Sequence, residues 1–154
     1  MRSHLAWLLI PSVALSGYVT HTTADPRRDV KAVLDSIAID LTANNRASLA
    51  ARYDRRGAIL LGHGRLRRLP FDSMANVYGD KWSPPVRFDW RNITIDVLNA
   101  RSAVVYAQFM WYDSATDSSL TSYTGVLVHD GKGWRVRSEH ESWPQLCPAD
   151  TASK

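Results

Sequence analysis

Thiols are almost absent from this chain: Cys147 is the one cysteine in 154 residues. No internal disulfide can form, and no cysteine-based metal site can be assembled. Cys147 falls in the tail, where it reads as a free thiol or a link between chains. Long apolar runs are scarce too. The one present, Leu5 to Val19 (LAWLLIPSVALSGYV), is about 15 residues long and interrupted by Pro11. A membrane span needs about 20. The chain also lacks a glycine-rich phosphate loop, a serine nucleophile elbow and a cysteine–histidine motif. No nucleic-acid motif is present, so no nucleic-acid partner is expected. Gly62-His63-Gly64 is too short a match to mean anything, and His63 has no second histidine at helical spacing, so neither a metal nor a cofactor is expected.

What is present begins with an export pattern. Arg2 supplies a short positive start, the apolar run follows, and Thr22-Thr23-Ala24 stand just before Asp25-Pro26. Charge, apolar run and small residues in this order form a secretory signal. A retained N-terminal anchor is the competing reading. Leu15-Ser16-Gly17 resembles the start of a lipoprotein cleavage box, but Tyr18 stands where the acylated cysteine belongs. The division is therefore a signal peptide over 1–24, a folded domain over 25–143 and a flexible tail over 144–154 without periodicity. The expected location is secreted or periplasmic, with no stable membrane insertion once the signal is removed.

The length is that of one domain, and the apolar share of 45% is enough for a core. Six tryptophans and six tyrosines are the unusual feature; such rings line clefts as well as cores. The net charge of +4 is modest. Arg52, Arg55, Arg56, Arg65, Arg67 and Arg68 form a basic group that could attract anions, and that reads equally as a solvated helix end and loop.

Periodicity divides the domain in two. Asp25 and Pro26 open a helix, in which Val30, Val33, Leu34, Ile37, Ala38 and Leu41 form one apolar stripe. Asn44-Asn45 ends it, and a shorter helix follows over Arg46–Tyr53. Ala58–Leu61 reads as a short buried strand, Gly62–Leu69 as a loop and Phe71–Trp82 as a helix stopped by Ser83-Pro84-Pro85. From Val86 the period becomes two. Phe88 and Trp90 share one parity while Ile93, Ile95 and Val97 share the other, so a bulge near Arg91-Asn92 is predicted. Strands over Ser102–Asp113, Leu120–His129 and Trp134–Trp143 follow, the last pair joined by the hairpin turn Asp130-Gly131-Lys132-Gly133. Helices followed by hairpin-linked strands predict an α+β fold: a cone-shaped, curved antiparallel sheet packed against the N-terminal helices and enclosing a pocket.

These residues resemble a known group. The order of NNRASLAARY, AILL, a capped helix, VRFDWRNITIDVL, SAVVYAQFMWYD and GKGWRVRSEHES is similar to SnoaL-like domains of the nuclear transport factor 2-like superfamily. The most specific piece is Gly-Trp-Arg-Val followed by His140, six residues after Trp134. The resemblance spans about Asp29 to Trp143. It implies a cone-shaped α+β barrel with a deep pocket, often dimeric through the outside of the sheet. Its members include isomerases, cyclases, dehydratases and domains without known activity, so it does not decide function.

Alternation along the last strand predicts Trp134, Val136, Ser138, His140 and Ser142 facing the pocket, with Arg135, Arg137, Glu139 and Glu141 outside, since burying four charges is costly. His140 is then the acid–base candidate, with Asp113 as an orienting partner at the mouth; a rim histidine that does no chemistry is the alternative. Tyr53, Tyr78, Trp82, Trp90, Phe109 and Trp111 are the candidate ligand-binding residues. The expected function is binding of a small, mostly apolar molecule. The alternatives are a pocket enzyme of isomerase, cyclase or dehydratase type using His140, and a non-catalytic module dimerising through the outer face with Tyr106, Gln108, Met110 and Tyr112.

Overall fold

A computed structural model describes residues 25–62 and 64–143. The expected signal peptide over 1–24, His63, and the tail with Cys147 lie outside the described residues. Among the described residues no helix is long and apolar enough to cross a membrane.

Helix α1 spans Pro26–Thr42, and the Asp25 side chain accepts the Arg27 N–H to cap it. Its apolar stripe is the reason it docks: Val30 and Leu34 are wholly buried and Leu41 nearly so. A second helix, α2 (Arg46–Ala51), is capped by the Asn45 side chain, which accepts from the Ser48 N–H. The two helices are tied by Asp40, which is buried. Its carboxylate accepts from Ser48 Oγ at 2.6 Å and from Arg52 Nη2 and Nε at 2.7 and 3.1 Å.

Six strands follow: β1 (Ala58–Gly62), β2 (Arg65–Leu69), β3 (Arg87–Asn99), β4 (Ser102–Tyr112), β5 (Ser118–His129) and β6 (Trp134–Ser142). They form one curved, unclosed sheet in the order β2-β1-β6-β5-β4-β3. The α+β architecture is the one expected. Its sheet is mixed, however, because β1 runs parallel to β6. Residues 65–69, read from sequence as loop, are an edge strand paired with β1; an edge needs hydrogen bonds on one side only, so a polar, arginine-rich segment can serve. Between β2 and β3 the expected twelve-residue helix is shorter, a 3-10 turn over Phe71–Ser73 leading into α3 (Met74–Val77).

Two of the sheet's three register shifts shape the site; the third, between Val97 and Asn99, lies at the β3–β4 turn. The first lies where the sequence places it: the β3–β4 register shifts between Arg91 and Thr94, with Asn92 in the left-handed region at φ 50°. It keeps Phe88 and Trp90 on the inner face before the bulge and Ile93, Ile95 and Val97 on it afterwards. The second was not expected. On β6, Val136 pairs with Leu127 and Ser138 with Val126, so Arg137 is the extra residue. The Arg137 side chain donates to Gly57 O at 2.6 Å, and every later residue of β6 changes face. Helix α1 covers the inner face, and the Trp90 indole N–H donates to Leu34 O at 2.9 Å to pin helix to strand.

Candidate functional site

The inner face, α1 and the 78–82 segment enclose a cavity of about 800 Å³. Tyr53, Tyr78, Trp82, Trp90, Phe109 and Trp111 all line it, as do Phe88 and Tyr123. The rings support one another: Phe88 stacks on Phe109 at 5.0 Å, Trp90 meets Tyr123 edge-on at 5.1 Å and Tyr78 meets Trp82 at 5.2 Å. Arg46 braces the 79–82 segment by donating to Gly79 O at 2.9 Å, with its guanidinium over the Trp82 ring.

The Arg137 bulge decides which ionisable groups enter this space. Glu139 and Glu141 line the cavity; His140 is exposed and does not. Uninterrupted alternation from Trp134 to Ser142 predicts the reverse. Trp134 and Val136 do face the core, and the parity changes immediately afterwards. Asp113 stands at the cavity edge, exposed, and accepts from the Trp111 indole N–H at 2.9 Å. No hydrogen bond or ion pair joins Asp113 to His140 among the described residues.

Glu139 is held by a chain of phenols. The Tyr53 hydroxyl donates to Glu139 Oε1 at 2.8 Å and lies 2.9 Å from the Tyr78 hydroxyl. A phenol has one proton to give; with that of Tyr53 committed to Glu139, Tyr78 donates to Tyr53. Tyr53 itself is stapled to β6 beside the bulge, since Asp54 N–H donates to Val136 O and Val136 N–H to Arg52 O, both at 2.9 Å. Tyr123 adds a second hydroxyl. Its ring lies over Gly125, where a Cβ would stand 2.5 Å from the phenol oxygen, and Gly125 is the residue paired with Glu139 across β5 and β6. The absence of a side chain at 125 is what lets that ring lie there. Tyr123 makes no hydrogen bond among the described residues, so its O–H is available to a ligand.

The electrostatics follow from enclosure. Burial raises both carboxyl groups above the ordinary range. The Tyr53 hydrogen bond and the Arg67 charge hold Glu139 back. Glu141 is pushed up to about 8 by burial and then by the neighbouring Glu139 charge. The phenols of Tyr53 and Tyr123 are raised by burial and by Glu139, so both remain protonated donors. Near neutral pH Glu141 therefore keeps its proton, while the Tyr53 hydrogen bond and the Arg67 charge favour the ionised form of Glu139.

No protein-family model matches this chain, and no curated protein matches it. Solved structures do. An NTF-2 like protein of unknown function from Shewanella oneidensis superposes with a TM-score of 0.69 at 16% identity, over 77% of this chain and 99% of that one. The fold is nuclear transport factor 2-like. A second structure with this fold is a putative ketosteroid isomerase from Parabacteroides distasonis, with a TM-score of 0.64 at 14% identity over 83% and 94% of the two chains. A third is a putative scytalone dehydratase from Novosphingobium aromaticivorans, at 0.60 and 13% over 77% and 83%. Identities this low carry the fold alone; within a nuclear transport factor 2-like fold, chemistry has to be argued from the cavity's own residues.

Proposed function

We propose that this protein binds a small, flat, mostly apolar molecule in its aromatic cavity and moves a proton on it, with Glu139 accepting and Glu141 returning the proton. The carrying observation is a pair of carboxyl groups on the wall of an aromatic cavity, one of them held by the Tyr53–Tyr78 hydroxyl chain. Two carboxyl groups with unequal proton affinity supply a base and an acid at one pH. The Tyr123 O–H supplies a neutral donor where an enolate or alkoxide oxygen would develop charge. The arrangement favours isomerase, cyclase or dehydratase chemistry next to a carbonyl over hydrolysis. An open volume of about 800 Å³ favours a ligand-binding role over a pure interaction module, whose cavity would be filled by its own side chains.

The test uses a panel of aryl ketones and cyclic enones incubated with the protein in D₂O, with deuterium uptake next to the carbonyl read by mass spectrometry. Replacing Glu139 by Gln should slow uptake by about a hundredfold or more, while His140→Gln leaves it within about twofold. Equal rates for wild type and Glu139→Gln would remove the proton-transfer role.

A further inference from the structure

The basic group singled out in the sequence is divided by the fold. Arg52 is committed to Asp40 and Ser48, Arg56 to Asp54, and Arg55 lies over the Phe71 ring. Arg65 and Arg67 are different. Both line the cavity, both are exposed, and neither forms a hydrogen bond or ion pair among the described residues.

Their placement follows from the register. Arg67 pairs with Leu60, and Leu60 with Glu139; Arg65 pairs with Gly62, and Gly62 with Glu141. Two neighbouring rows of the inner face thus each run from an arginine on the edge strand to a glutamate on β6. Residues two apart on a strand share a face and sit roughly 7 Å apart, and two strand spacings are roughly 10 Å. The two arginine side chains therefore leave one face of the edge strand next to each other at the cavity wall, one strand removed from the glutamates. Gly62 keeps the intervening row open: a Cβ there would find only Glu141 O, at 3.8 Å.

Resting on the cavity reading above, we infer that Arg65 and Arg67 form an anion-reading rim, and that the ligand is an amphipathic carboxylate whose flat apolar body lies among the rings while its carboxylate is held between the two guanidinium groups. Paired N–H donors spaced along one edge suit a planar carboxylate. The charge balance points the same way. Two arginines face a glutamate pair that retains a proton near neutral pH, which leaves positive charge uncompensated on this side of the cavity. Arg67 acts electrostatically on Glu139, Glu141 and Tyr78, so its charge is felt inside. Among the described residues the one other acid on the cavity wall, Asp113, follows β4, four strands from β2 in the sheet order, and is bonded to Trp111.

Matched probes separate this from simple apolar binding. Binding of 2-naphthoate and of its uncharged isostere 2-naphthamide is measured at neutral pH through quenching of tryptophan fluorescence, since Trp82, Trp90 and Trp111 line the cavity. A charged hydrogen bond is worth about tenfold or more in affinity. Naphthoate should therefore bind at least about tenfold tighter than naphthamide, and the gap should shrink with added salt. In Arg65→Gln/Arg67→Gln the naphthoate preference should vanish while naphthamide affinity stays within about threefold, which also shows that the variant is folded. Equal affinity of the two probes for the wild type, or a preference that survives the double substitution, overturns the anion-reading rim and leaves the cavity reading standing. If neither probe quenches, the cavity reading falls and the rim falls with it.

Discussion

Glutamate is used sparingly here: Glu139 and Glu141 are the only two in the chain, against thirteen aspartates, and both face the cavity. Beyond Val136, β6 reads Arg-Ser-Glu-His-Glu-Ser, polar on both parities, so hydrophobic alternation carries no register information there. Keeping charges outside then selects His140 for the interior, whereas the fold meets the burial cost of two glutamates locally, by the proton Glu141 retains near neutral pH, the Tyr53 hydrogen bond and the Arg67 charge. The consequence is a measurable pH dependence. Glu141 has a folded-state proton affinity raised from 4.5 to about 8, so the folded protein holds more protons than the unfolded one between those values. Its contribution is full below about pH 4.5 and is lost as pH rises toward 8. Glu141→Gln should remove that loss, gaining on wild type by on the order of 1 kcal/mol per pH unit at most across the window. Urea denaturation at a series of pH values measures this; a stability difference that does not change with pH would contradict it.

At the level of elements, legibility depended on whether apolar residues marked the face. The β3 bulge could be read because the apolar set itself switches parity, from Phe88 and Trp90 to Ile93, Ile95 and Val97. Helix α1 could be read from its stripe and its cap. Strand β2 could not, since Arg65, Arg67 and Arg68 following Gly62 and Gly64 look like a loop, and only the pairing partner Ala58–Gly62 makes them a strand. The tie between α1 and α2 was also hidden, because it is made by one buried carboxylate. Removing the Asp40 carboxylate by substitution with Ala leaves Arg52 and Ser48 without their acceptor, and should cost about 2–4 kcal/mol in urea denaturation. Because α2 runs directly into Tyr53, the same change should weaken the Tyr53–Glu139 contact. A loss under about 0.5 kcal/mol would show that the tie does not hold the helices.

For the whole molecule, the sequence was sufficient for a curved sheet roofed by a helix, because long amphipathic strands and a single apolar stripe have few other ways to bury themselves. It was not sufficient for the contents of the hollow. One extra residue at 137 exchanges a histidine for two carboxyl groups, and that exchange sets the chemistry available. The claim can be tested directly, since labelling glutamate with ¹³C at the side-chain carboxyl yields two signals, both from the cavity. Titrated by NMR, both should move above the ordinary carboxylate range, with one step near pH 8 and each shifted by Glu→Gln substitution of the other. Two independent titrations near the ordinary glutamate value of about 4.3 would place both groups in water and contradict the account.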